Sequence, residues 1–415
     1  MPSTGYIAVA RTSGVPRGLL ASFTSRLSGG IVPFSTIVAF SQAYGGFAYS
    51  GIATAAFMLS GAFLAPTRGR LVDRYGWHAL LWGGISHAFF LVLAATAIGH
   101  VPAWLAFLPL AAGGALSAPV TSAVRTRWSR LVTDKQSLQQ AHALDSILEE
   151  ITFVITPLIT VAATAVLPAQ ACVALGGCCP LIGVALLYQR VTNTPQTAVP
   201  HVHSLGKQRT GRRKSLIWTS EGQGVIAPLI VLGLVGGSLN VLLPATAALH
   251  GHITSAGYLF ALFSVGGVIG GLVYGKIQWT RTLRSRYAIA GATLAAVTAL
   301  LAPALGTPAA LIAVLLLGLP LTPLFVIGYL LVDERLTHRQ TEANSWLGSG
   351  YDIGSASGAI LFGWLLTHTT PTLLTLVLAL VATTAAAFAL RLTPTPDEHL
   401  NAEAAEPRQA NSATK

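Results

Sequence analysis

Long apolar stretches alternate with short basic clusters along this chain, and that order constrains its fold more than any other feature. All but one of the 25 Lys and Arg residues fall in the clusters. Twelve stretches are of the length, ~20 residues, that crosses a bilayer; they lie at 18–42, 48–66, 78–98, 102–123, 144–167, 170–188, 225–249, 255–275, 287–304, 308–331, 344–367 and 371–391. With the N-terminus placed in the cytoplasm, every cluster falls on the cytoplasmic side, in line with the bias of Lys and Arg toward cytoplasmic loops. The exception, Arg26, sits inside the first stretch. The expectation is an all-α integral membrane protein with twelve transmembrane helices and both termini cytoplasmic.

Composition agrees. Apolar residues make up 53% of the chain and charged residues 9%, with a mean hydropathy of +0.63, whereas a soluble domain carries about a quarter charged residues. The surplus has to be solvated by lipid. The formal charge of +11 follows from the basic cytoplasmic loops, and no stripe of bases with interleaved aromatics points to nucleic acid. Arg outnumbers Lys and Ala is frequent, a habit of GC-rich bacterial genomes, so a bacterial inner membrane is the expected location. Cys172, Cys178 and Cys179 lie without the His or acidic partners a metal site requires, and read as small apolar residues. No nucleophile–His pair, phosphate loop or dinucleotide fingerprint stands out, so neither an enzyme nor a cofactor is expected.

The chain divides into a cytoplasmic segment 1–17, a six-helix bundle 18–188, a basic linker 189–224, a second six-helix bundle 225–391 and a polar tail 392–415, read as disordered. The other cytoplasmic loops are expected at 67–77, 124–143, 276–286 and 332–343. A shift of 206 residues pairs Gly51 with Gly257, Gly61 with Gly267, Gly69 with Gly275, Arg70 with Lys276 and Pro102 with Pro308. Paired bundles around a midplane site are a common plan for secondary transporters. Gly267, Gly271 and Gly275, and likewise Gly350, Gly354 and Gly358, recur every fourth residue, the spacing of a close helix–helix packing face.

Between the second and third spans the sequence reads Gly69-Arg70-Leu71-Val72-Asp73-Arg74-Tyr75-Gly76. This resembles the signature loop of the major facilitator superfamily: Gly, three residues, Asp-Arg, one residue, Gly. The stretch from Leu144 through Glu149 and Glu150 to Pro157, the stretch Thr341–Trp346, and the region Ala256–Gly275 resemble actinobacterial exporter-like members. The resemblance implies two six-helix pseudo-repeat bundles, alternating access and, often, proton-driven efflux. The pattern departs in places: Trp77 and His78 replace two further basic residues, span four lacks an arginine before Gly113-Gly114, and Thr156-Pro157 stands where antiporters carry Gly-Pro. From the resemblance, Asp73 sits against the N-terminus of span eleven, near Glu342–Trp346, and holds a cytoplasmic gate shut together with Gly69 and Gly76, while Arg74 pairs with a nearby acid.

Intramembrane charges cost about 2.5–3.5 kcal/mol each on insertion scales and so need a partner, water or a function. Arg26, Glu149, Glu150 and Asp352 are the candidates. Adjacent helical residues differ by about 100° in direction, so Glu149 and Glu150 face different neighbours. Arg26 is expected to pair with one of them, either as a static ion pair or as a proton switch, since desolvation raises a carboxyl pKa and a nearby arginine lowers it. Asp352 could bind a substrate cation, bind protons or accept a hydrogen bond. Spans one, four, seven and ten line the cavity in the superfamily, which makes Ser35, Asn240 and Tyr329 candidate polar contacts in an otherwise apolar site. The expected function is proton-coupled efflux of a small, rather apolar molecule by a monomer in the lipid bilayer. Uptake by symport or facilitation is the alternative, with a non-transporting receptor or scaffold behind it.

Overall fold

The computed structural model describes residues 5–45, 47–132, 134–188, 216–249, 255–366 and 368–392. Most of the linker, residues 189–215, and the tail beyond Leu392 lie outside the described residues, as do residues 1–4. The helices run α1 (Tyr6–Arg11), α2 (Val15–Tyr44), α3 (Phe47–Tyr75), α4 (Trp77–Ala97), α5 (Ala103–Ala115), α6 (Val120–Leu131), α7 (Lys135–Val166) and α8 (Ala169–Tyr188) in the first half. The second half holds α9 (Ser220–Leu249), α10 (Ser255–Lys276), α11 (Leu283–Ala304), α12 (Ala309–Gly318), α13 (Leu321–Arg335), α14 (Gln340–Leu365) and α15 (Pro371–Leu390). No strand occurs among the described residues.

Among the described residues nine spans are long and apolar enough to cross a membrane, and α7 makes a tenth if its bent segments are taken together. The joined stretches α5–α6 and α12–α13 each count as one of these spans. Helices α2 and α14 are long enough but too rich in Ser, Gly and charge to qualify by composition. Their polar groups turn inward instead: Ser22, Ser28, Ser35 and Thr36 of α2 and Glu342, Asn344, Ser345 and Ser349 of α14 are buried.

The first half has two apolar cores and the second half one, which also takes in Ala143 of α7 and has Tyr6 and Leu138 packed against it. In the second half, α14 lies along α9 so closely that a methyl group on Gly350 would touch Ile226 and Ile230, and one on Gly354 or Gly358 would strike the α9 backbone. The α10 ladder runs between α13 and the other half: Gly267 and Gly271 meet Leu321 and Thr322 of α13, Gly271 also abuts Ile147 of α7, and Gly275 abuts Ala143 of α7 and Tyr6 of α1.

Helical structure runs further than the loop boundaries read from sequence. The expected loop 67–77 is helical through Tyr75, and Gly76, at φ +59°, makes the turn into α4. The expected loop 124–143 is mostly α6 and the first turns of α7. Hydropathy ends a span where charge begins, but a helix continues wherever its polar groups find partners. Asp134 accepts from the Ser137 amide at 2.8 Å and so caps α7. The break between α5 and α6 is held by Arg68, which donates to the carbonyls of Gly114 (2.6 Å) and Gly61 (2.7 Å) and to the Ser117 hydroxyl.

Candidate functional site

The hydrogen bonds between the halves gather at the end of the bundle that carries the basic residues. Asp73, on the last turn of α3, accepts from the backbone amides of Thr341 (3.0 Å) and Glu342 (2.9 Å) at the start of α14. A helix N-terminus has unpaired N–H groups and positive potential, and a carboxylate satisfies both. The approach depends on Gly69, where a methyl would meet Glu342 Cα and the Thr341 carbonyl oxygen at 2.7 Å. Among the described residues Arg74 makes no ion pair; its guanidinium lies 5.2 Å from the Tyr75 ring centroid. The base that meets the acid is Arg70, one helical turn earlier, whose Nε donates to Glu342 Oε1 at 2.9 Å. Arg339 holds the other carboxylate oxygen at 2.6 Å, so the buried Glu342 is clamped from both halves.

Around this contact Gln340 reaches Ser129 at 3.3 Å, Asn344 reaches Thr126 at 3.4 Å, and Ser345 Oγ lies 3.2 Å from Ser122 Oγ. His142 of α7 meets Asp333 of α13 at 2.8 Å. On the far side, Gln136 and Gln139 of α7 donate to the carbonyls of Gly275 (2.9 Å) and Tyr274 (2.8 Å).

Just inside this closed end lies a buried charge cluster. Arg26 of α2 grips Asp145 of α7 with two bonds of 2.7 Å and reaches Glu149 at 3.3 Å. Arg125 of α6 donates to the same two acids at 2.6 and 3.1 Å. The side chains are 9% (Arg26), 4% (Arg125), 0% (Asp145) and 30% (Glu149) exposed. Two cations and two anions cancel, which is what allows them to stay ionised away from water. Arg125 also lies 3.9 Å from the centroid of the Tyr329 ring of α13, so the cluster touches the second half.

Of the two acids expected for Arg26, Glu149 is the partner and Glu150 is not. Asp145 and Glu149 are four residues apart and share one face of α7, whereas Glu150 turns toward α10, its carboxyl carbon 3.5 Å from where a methyl on Gly267 would stand. Glu150 forms no ion pair among the described residues. Asp352 forms none either; it is exposed and within electrostatic range of Glu149. The sequence reading left out Asp145 and Arg125. Arg125 falls in the stretch 124–143 expected as a cytoplasmic loop, and Asp145 is the second residue of the span 144–167. The i,i+4 spacing of Asp145 and Glu149, opposite an intramembrane arginine, was the signal available.

The three expected cavity residues do not form one open surface. Ser35 and Tyr329 are fully enclosed, while Asn240 is exposed. Tyr329 packs between Phe325 (5.9 Å), His142 (5.5 Å) and Arg125, and so belongs to the closed seam. A further polar node escaped the sequence reading: buried His87 of α4 bonds to Ser28 of α2 (3.0 Å) and to the Gly113 carbonyl of α5 (2.7 Å). Among the described residues no His, Cys, Asp and Glu group could hold a metal ion.

A family model described as Major Facilitator Superfamily matches residues 18–336 and 226–414. No curated protein matches the chain. Among solved structures, a bacterial homologue of the iron transporter ferroportin in its outward-facing state is similar at 18% identity and a TM-score of 0.67, over 91% of this chain and 96% of that one. The E. coli fucose:proton symporter FucP, in its N162A form, aligns at 18% identity and a TM-score of 0.60, over 92% and 100%. The human organic anion transporter MFSD10 aligns at 14% and 0.62, over 94% and 98%. At these identities the likeness speaks for the fold, and with a family model covering most of the sequence the chain belongs to the major facilitator superfamily.

Proposed function

We propose that this protein is a proton-coupled exporter of a small, rather apolar molecule, working by alternating access. In this reading α2 to α15 form twelve spans, α5–α6 and α12–α13 counting as one each, and the basic end faces the cytoplasm of a bacterium. The bonds from Asp73 to α14 then close the cytoplasmic gate and leave the protein open outward.

The observation that carries the proposal is the unequal partnering of the interior acids. Asp145 and Glu149 are held by two arginines, and protonating either would strand buried positive charge. Among the described residues Glu150 and Asp352 have no paired base, so either can gain or lose a proton without breaking an ion pair there. Glu150 also lies at the α7–α10 interface between halves, where its charge would be felt by the transition. The clamped cluster is the structural element, and Glu150, with Asp352, is the coupling element.

The test is accumulation of a panel of lipophilic drugs and dyes in an efflux-deficient bacterium expressing the protein, with and without a protonophore. Wild type should lower accumulation of at least one compound, and protonophore or Glu150→Gln should restore it, with Asp352→Asn giving a partial effect. Gradient-driven transport that survives in the double variant would rule these residues out as the coupling site.

A further inference from the structure

Helix α1 has six residues, too short to be stable alone, so its position is set by what it packs against. Val9, 2% exposed, belongs to the apolar core at the basic end of the first half. Gly14, at φ +104°, makes the turn that joins α1 to α2. Tyr6 lies instead against the core of the second half. Its hydroxyl lies 3.0 Å from the Gly271 carbonyl oxygen and 2.8 Å from that of Leu272 of α10, and donates there. One short helix is thus seated in both cores, across the seam that closes the basic end.

The internal repeat explains why such a contact is needed there. A shift of 206 residues carries Gly69 onto Gly275 and Asp73 onto Trp279. On the first side of the gate, the Asp73 carboxylate draws α3 to the amides of α14. On the second side Trp279 stands at the position of Asp73 and brings no carboxylate, and what α10 offers is carbonyl oxygen near its C-terminus. Donors must close that side, and Tyr6, Gln136 and Gln139 supply them. Burial pushes the Tyr6 phenol up to about 12, still further from ionising at physiological pH. The strap also depends on Gly275, because a methyl there would collide with the Tyr6 hydroxyl.

We propose that α1 is a strap that biases the transport cycle: Tyr6 locks the basic end shut by holding α10 against the first half, and must let go before that end can open. The inference rests on the alternating-access reading and adds to it a residue outside the membrane spans.

The test measures distance and needs no substrate. In a background with Cys172, Cys178 and Cys179 replaced, spin labels are placed at the exposed positions Arg130 and Thr337 and their separation is read in lipid nanodiscs. Tyr6→Phe removes the donor and should raise the ratio of long to short distances by about three- to tenfold, as expected for one hydrogen bond. Gly275→Ala should shift the ratio the same way by displacing Tyr6. In the Tyr6→Ala background Gly275→Ala should add nothing, because the two changes break the same contact. Additive shifts would mean that Gly275→Ala acts through Ala143, whose Cβ would lie 3.1 Å away, and would overturn the strap. Two populations in wild type that ignore Tyr6 would overturn the strap and leave alternating access standing. A single population in every variant would overturn both.

Discussion

The guanidinium of Arg125 lies 3.9 Å from the ring centroid of Tyr329, and this contact joins the charge cluster of one half to the other. Arg26, Asp145 and Glu149 all belong to the first half and could move as a unit. Arg125 stacks on a side chain of the other half, one that an opening motion at this end would carry away.

Removing that ring should weaken the closed seam. Tyr329→Phe keeps the face that covers the cation, whereas Tyr329→Leu loses it, at a cost of about 0.5–2 kcal/mol. Melting in detergent should leave Phe at or above wild type, because the buried Tyr329 hydroxyl has no partner among the described residues, and should lower Leu. Equal losses in both variants would mean that the hydroxyl, not the ring face, is the feature that counts.

Asp145 and Glu149 should not be equivalent. Asp145 is fully buried and holds both arginines, so Asp145→Asn leaves two buried guanidiniums sharing one carboxylate. Breaking a buried pair in this way costs about 3–5 kcal/mol. Glu149 is the more exposed and makes the longer bonds, so Glu149→Gln should cost clearly less. Folded yield and thermal midpoint test this, and equal destabilisation by the two substitutions would contradict the assigned geometry.

Gly69 sets how closely α3 and α14 approach. In Gly69→Ala the added methyl meets the α14 backbone, which cannot rotate away as a side chain could. Overpacking of this kind costs about 1–3 kcal/mol, and the gate at the basic end should loosen. Gly348→Ala on α14, with nothing within 4 Å, is the control. Protease or thiol-reagent access at the basic end should rise in the first variant and not in the second.

Asp134 gives a pH dependence of known sign. The hydroxyl and amide of Ser137 hold its carboxyl below the ordinary value of 3.8. A folded-state value lower than the unfolded one means that its stabilisation is present above pH ~4 and is lost as the pH falls through the lowered value. Asp134→Ala should fray the first turn of α7 and cost about 0.5–2 kcal/mol. Hydrogen exchange of the Ser137 amide should speed up in the variant at neutral pH, and the difference from wild type should vanish in acid.

Much of the fold was legible in the chain because it depends on signals that are local or periodic. Apolar length, the clustering of bases and the repeat between Gly69 and Gly275 each need only the order of residues. Bilayer thickness and the requirement that backbone polar groups be paired inside lipid translate that order into helices packed in two bundles. The Gly69–Gly76 motif could be read for the same reason: its Gly spacing and its Asp have meaning wherever the helix ends.

The partners were decided only by tertiary structure. Whether Arg26 meets Glu149 or Glu150 depends on how far α7 is rotated about its axis against α2, which packing sets and hydropathy does not record. Asp145 and Arg125 looked like edge and loop charges because a charge's cost depends on what lies beside it in space. Arg70 and Arg74 are four residues apart and share a face of α3, but Arg70 stands beside Gly69, where α3 meets α14, and so lies level with Glu342, whereas Arg74 sits a turn further on, over Tyr75. The docking of Tyr6 against α10 joins residues more than 260 positions apart. It becomes visible only when both cores are assembled and Gly275 leaves the room.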